Sequence, residues 1–119
     1  MVRRCGGLGL ATTDLVNSRG LLHLNRKSLE LVQTCPEDQP LAVQLYGGDG
    51  GELRAAAQWL VEHGAQVIDI YMGCPVNKVT RGGGGSALMC SPEATLDLVR
   101  TVVEGVREPV TVKMRLGWD

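Results

Sequence analysis

The sequence predicts an α/β fold built on a parallel sheet. Three short runs, mostly β-branched or aliphatic, read as buried strands: Leu41–Leu45, Val67–Ile70 and Val110–Met114. Helical patterns fill the intervals between them, and strands alternating with helices make βαβ units. Pro40 and Pro109 introduce the first and last of these runs, a place where a strand tolerates a missing N–H.

In chain order, Leu8 to Leu15 is a weaker strand candidate and Lys27 to Val32 a short helix. After the Leu41 strand, Glu52 to His63 places Leu53, Ala56, Ala57 and Leu60 on one helical face, and Gly64 follows as its stop. The Val67 strand leads into a long irregular stretch, Gly73 to Cys90, well beyond the usual βα loop. Loops of that length in compact domains are usually functional or disordered. Ser91-Pro92-Glu93 then opens a helix with an N-cap serine, a proline in the first turn and an acid at the positive end of the dipole. Its apolar face is expected through Leu96, Val99, Val102, Val103 and Val106 before the Val110 strand.

Composition narrows the function. The chain has 119 residues, a net charge of −1, 44% hydrophobic and 21% charged residues, ordinary values for a globular protein. No stretch approaches the roughly 20 apolar residues of a membrane span, and the short, glycine-broken run after the basic N-terminus does not make a secretory signal. Aromatic residues are only 3% and phenylalanine is absent, which argues against a stacking platform for single-stranded nucleic acid. The near-neutral charge argues that this chain alone is no strong binder of a phosphate backbone. Cys5, Cys35, Cys74 and Cys90 lie far apart with no C-x-x-C pair, so neither a zinc site nor a disulfide framework is expected, and reduced thiols fit a cytoplasmic setting. His23 and His63 lack metal spacing, and Trp59 and Trp118 are expected to pack.

The polar residues that stand out share one location. Gln44 sits late in its strand, Cys74 just past the next, and Lys113 and Arg115 close the last. Ligands of parallel α/β folds bind at the carboxyl ends of strands, so these four define a candidate site. Cys74 lies between Gly73 and Pro75, on a sharp exit from a strand; a thiol there is a candidate proton donor, since free thiols are in general mostly protonated at neutral pH. A lone cysteine is more commonly a small buried hydrophobe, and Cys90 is expected to be inert packing. Arg81-Gly82-Gly83-Gly84-Gly85-Ser86 fails the phosphate-loop pattern; the glycines signal flexibility or close approach of backbone to a ligand. Asp69, inside an apolar strand, needs a partner. It either organises the site from below or bonds a neighbouring backbone group, and the second is expected.

These residues also carry a resemblance. Ile68-Asp69-Ile70-Tyr71-Met72-Gly73-Cys74-Pro75-Val76-Asn77-Lys78-Val79, followed by Gly84-Gly85-Ser86-Ala87-Leu88-Met89, closely resembles the signature of tRNA-dihydrouridine synthases. Ala42–Gly47 and Pro109–Trp118 match in the same order and spacing, and Leu8 to Val32 more loosely. The resemblance implies a TIM (β/α)8 barrel that binds FMN, is reduced by NADPH and converts a uracil of tRNA to dihydrouracil. It assigns proton delivery at C5 to Cys74 and FMN binding to Gln44 and Lys113. Base binding falls to Tyr71, where the family usually carries asparagine, and to Arg115. Thr13-Asp14 stands for the family's Thr-Glu. The extracted base meets the flavin out of its stack.

A whole barrel takes about 250 residues, so the expectation is a single incomplete FMN-binding segment over residues 1–119, about strands 2 to 5 of the barrel. The C-terminal helical domain that grips tRNA is expected to lie outside it, and a chain of this extent to hold FMN loosely by itself. An inactive flavin-barrel remnant, or another FMN-dependent barrel oxidoreductase, is the alternative. A complementing half-barrel chain would be a partner; a metal or a membrane would not.

Overall fold

A computed structural model describes residues 2–116. Five short strands form one parallel sheet: β1 (Ala11–Thr12), β2 (Val16–Asn17), β3 (Leu41–Tyr46), β4 (Val67–Tyr71) and β5 (Val110–Lys113). Both β1 and β2 pair with β3, with Ala11 opposite Leu41 and Val16 opposite Leu45. They are two halves of one line with an extra residue between them, since Thr12 to Val16 spans four steps where Ala42 to Leu45 spans three. The expected Leu8–Leu15 strand is therefore real but shifted and broken by a bulge. Across the sheet the order runs from this broken line through β3 and β4 to β5.

The helices are α1 (Ser18–Leu22), α2 (Arg26–Leu31), α3 (Gly50–Glu62), α4 (Asn77–Thr80) and α5 (Pro92–Val103). Four side chains open helices as the sequence chemistry dictates. Asn17 Oδ1 accepts from Gly20 N at 2.8 Å, Asn25 Oδ1 from Lys27 N at 2.9 Å, Asp49 Oδ1 from Glu52 N at 2.8 Å, and Ser91 Oγ from Ala94 N at 3.4 Å. Neither α1 nor α4 is predicted by the sequence pattern, because a single turn of four or five residues shows no periodicity. The stretch 73–90 is thus less irregular than expected: it holds α4 and a 3-10 turn, Gly85–Cys90.

Alternation along β3 and β4 sends Val43, Leu45, Ile68 and Ile70 to one face. There they join Leu53, Ala56, Ala57 and Leu60 of α3 and Leu98 and Val102 of α5 in the core. The α3 face is the one the sequence predicts. The α5 face is so only in part: Val102 is buried and Val99 and Val106 pack against the core, but Leu96 and Val103 are 58% and 48% exposed, and Leu98, absent from the expected stripe, is buried. Packing against α3 rotates the buried stripe onto Leu98 and Val102. Leu96→Ser is accordingly expected to change unfolding free energy by no more than about 0.5 kcal/mol in urea titration. A loss above 2 kcal/mol would place Leu96 in the core after all.

Two further expectations need correction. The last strand ends at Lys113 rather than Met114 and is half-exposed rather than buried, because it is the edge of the sheet among the described residues. Cys90 is exposed, not packed inside. Trp59 does pack against the core and stacks on His63 with ring centroids 3.7 Å apart; Trp118 lies outside the described residues.

Candidate active site

The second face of the sheet is where polar side chains collect. Register sets Gln44 of β3 beside Asp69 of β4, and Asp69 beside Thr111 of β5. Their side chains join: Gln44 Nε2 donates to Asp69 Oδ2 at 2.6 Å, and Thr111 Oγ1 donates to Asp69 Oδ1 at 2.5 Å. Asp69 is only 9% exposed, so two hydrogen bonds replace much of the hydration that burial removes. Its partners are side chains from two neighbouring strands, not the backbone group the sequence suggested. Strand pairing brings together residues 25 and 42 positions apart, which no local pattern reveals.

The bulge between β1 and β2 contributes to the same row. Thr13 N donates to Ala42 O at 3.0 Å, and Thr13 Oγ1 accepts the backbone N–H of Gln44 at 3.1 Å. A hydroxyl here serves a ladder donor that the bulge leaves without a carbonyl. Gln44 is therefore fixed at its backbone by Thr13 and at its amide by Asp69.

One residue pair further toward the carboxyl ends, roughly 6.6 Å along the strands, Tyr71 is the register partner of Lys113. Both share the face of Gln44 and Asp69, since residues two apart on a strand point the same way. Lys113 is exposed, and among the described residues it makes no ion pair. The Tyr71 ring passes over Gly73, where an added Cβ would sit 2.9 Å from Tyr71 Cε2. Cys74 follows, half-buried, beyond the end of β4. Arg115 lies two residues past β5 and is exposed; no hydrogen bond ties it to the row.

The glycine run has a structural partner rather than a vacant cradle. Gly82, Gly83 and Gly84 lie directly on Gly47 and Gly48, backbone against backbone. A Cβ on Gly48 would strike the Gly82 carbonyl, and one on Gly84 would come 3.0 Å from Gly47 C. The next residue, Gly85, packs against Cys74. Its φ is +59°, an added Cβ would meet the Cys74 carbonyl oxygen and lie 3.2 Å from Cys74 Cβ, and the adjacent Ser86 N donates to Cys74 O at 2.9 Å. The close approach foreseen for the run is real, but it is an approach to the β3–α3 turn and to the thiol's own backbone.

Comparison with known proteins decides the family. Residues 1–119 match the family model described as dihydrouridine synthase (Dus). The chain belongs to the dihydrouridine synthase family. That family is a TIM barrel, and the sheet with its intervening helices is a partial one. Among curated relatives, the chain is 42% identical over 119 residues to a probable tRNA-dihydrouridine synthase 1 of Synechocystis sp., covering all of this chain and 33% of the relative. It is 45% identical over 114 residues to tRNA-dihydrouridine synthase B of Pseudomonas aeruginosa, covering 95% and 34%. A probable tRNA-dihydrouridine synthase of Rhizobium leguminosarum gives 43% over 113 residues, 95% and 35%. This dihydrouridine synthase chain spans about a third of the length of the curated relatives it matches. No group of three His, Cys, Asp or Glu side chains able to hold a metal occurs among its described residues, and no described helix is long and apolar enough to cross a membrane.

Proposed function

We propose that this chain supplies the flavin-facing and acid-bearing strands of a cytoplasmic tRNA-dihydrouridine synthase, an FMN- and NADPH-dependent oxidoreductase acting on a tRNA uridine. The observation that carries this reading is the polar row on the open sheet face, with a half-buried thiol at the carboxyl end of the middle strand. The donor set fits an isoalloxazine ring. Gln44 is an anchored amide with its oxygen uncommitted, and Lys113 is an exposed cation one row away, suited to the pyrimidine edge where a reduced flavin gathers negative charge.

FMN, when bound, supplies the hydride chemistry. The residues of this chain do the rest: Gln44 and Lys113 hold the ring in place, and Tyr71 and Arg115 stand at the carboxyl end where the uracil would lie. Cys74 offers a thiol proton for C5 of the base. Tyr71 differs in shape and hydrogen bonding from the asparagine usual in the family, and its ring over Gly73 occupies room near Cys74.

The test is a chimera in which residues 1–119 replace the matching third of the Pseudomonas aeruginosa relative. It is expected to retain FMN and to add two hydrogens to a uridine of unmodified tRNA, read by mass spectrometry of the digested nucleosides. Flavin-free protein would overturn the flavin part of the reading. Flavin-loaded but inactive protein, rescued by Tyr71→Asn, would make the natural sequence an inactive remnant. In an active chimera, Tyr71→Asn is expected to raise kcat/KM for tRNA by up to about tenfold, the worth of one well-placed hydrogen bond.

A further inference from the structure

Asp69 is an acid in the middle of a strand, on the face opposite its apolar, core-facing neighbours Ile68 and Ile70, and it makes no ion pair among the described residues. What it does make is a pair of short bonds to Gln44 and Thr111. An ionised carboxylate only accepts hydrogen bonds. The end of the Gln44 amide that meets it must therefore be Nε2, and the amide orientation follows from chemistry rather than from a choice between similar atoms. Gln44 Oε1 then remains, with no donor on it among the described residues, while the Gln44 backbone is held from the other side by Thr13.

We propose that Asp69 is a positioning residue that locks Gln44 as a hydrogen-bond acceptor, so that this site selects a ligand edge carrying an imide N–H. This rests on the flavin reading above but goes beyond it, because it assigns the polarity of the contact and the residue that sets it. A free glutamine can turn either end of its amide to a ligand; one anchored to a carboxylate through one Nε2 hydrogen is held in a single orientation, with Oε1 as its acceptor and the second Nε2 hydrogen beside it. An imide N–H flanked by two carbonyls is present both in an isoalloxazine ring, at N3, and in uracil. We assign the flavin to Gln44, because Gln44 lies a row below the strand ends where Cys74 stands.

The experiment uses the 119-residue chain, labelled with 15N, and FMN titrated to millimolar concentration by fluorescence. Wild type is expected to bind N3-methyl-FMN about tenfold more weakly than FMN, the loss of one hydrogen bond to an anchored acceptor. In Asp69→Asn, whose amide can meet either end of Gln44, that penalty is expected to fall below about threefold, with circular dichroism unchanged. A role confined to stability would weaken both flavins equally and leave the ratio alone, which would overturn the proposal. So would a wild-type chain indifferent to N3 methylation of both FMN and uridine.

Parallel titrations with uridine and N3-methyluridine distinguish the two imides. Sensitivity only in the uridine arm would keep Asp69 as the positioning residue and move the contact from flavin to base. If neither compound binds, the flavin reading fails on its own, and the Gln44 side-chain amide resonances decide the anchoring. Slowed exchange of the Nε2 protons in wild type, lost in Asp69→Ala, is the expected result; resonances indifferent to that change would refute the lock.

Discussion

Cys74→Ala in the chimera is expected to eliminate measurable dihydrouridine formation while leaving bound FMN at wild-type stoichiometry. A positioned general acid contributes about 10²–10⁴-fold to a rate, and alanine removes the proton donor without adding bulk. Because Cys74 lies beyond the end of β4 and outside the Gln44–Asp69–Thr111 row, its loss leaves that row of contacts in place. Single-turnover experiments separate the outcomes. Reoxidation of reduced flavin by tRNA should stop or slow by at least about a hundredfold, whereas reduction by NADPH should not change. A variant that forms dihydrouridine at the wild-type rate would remove Cys74 from the acid role.

Gly85→Ala is the substitution expected to damage the site most through the backbone. Residue 85 sits at φ +59°, a region that costs an L side chain about 1–2 kcal/mol. The new methyl would also meet the Cys74 carbonyl oxygen and approach Val79 Cγ1 to 2.9 Å. One of these neighbours is backbone, so relief requires the Cys74 turn to move. A total loss of about 3 kcal/mol in unfolding free energy is expected, together with a fall in activity larger than the fraction unfolded accounts for. The companion Gly82→Ala, whose Cβ would meet nothing closer than Val79 O at 3.5 Å, is the control and should be nearly silent. Equal behaviour of the two variants would mean that the turn is not held where the thiol needs it.

Some of this architecture is plain in the residues themselves. The α3 helix announces its buried face because Leu53, Ala56, Ala57 and Leu60 recur at helical spacing among polar neighbours. Ser91 and Pro92 mark the start of α5 for the same kind of local reason. The α5 face announces itself only in part: Val99, Val102 and Val106 lie in or against the core as their spacing suggests, while the contact with α3 takes Leu98 inside and leaves Leu96 and Val103 exposed. Cys74 is visible through its glycine and proline flanks. Asp69 is visible as an anomaly, yet its partners are not, for they come from β3 and β5 and depend on register. The glycine run likewise meets Gly47 and Gly48 some 35 positions earlier, a distance over which sequence pattern carries no information.

The bulge at Thr13 has an evolutionary consequence. Thr13, Gln44, Asp69 and Thr111 stand on four separate stretches of chain yet share a single set of donors and acceptors. Removing any one strands a polar group of another. Mutational drift at these four positions is therefore yoked. Across lineages they should either persist as a set or be exchanged as a set, leaving a signature of correlated substitution stronger than that of the apolar residues beside them.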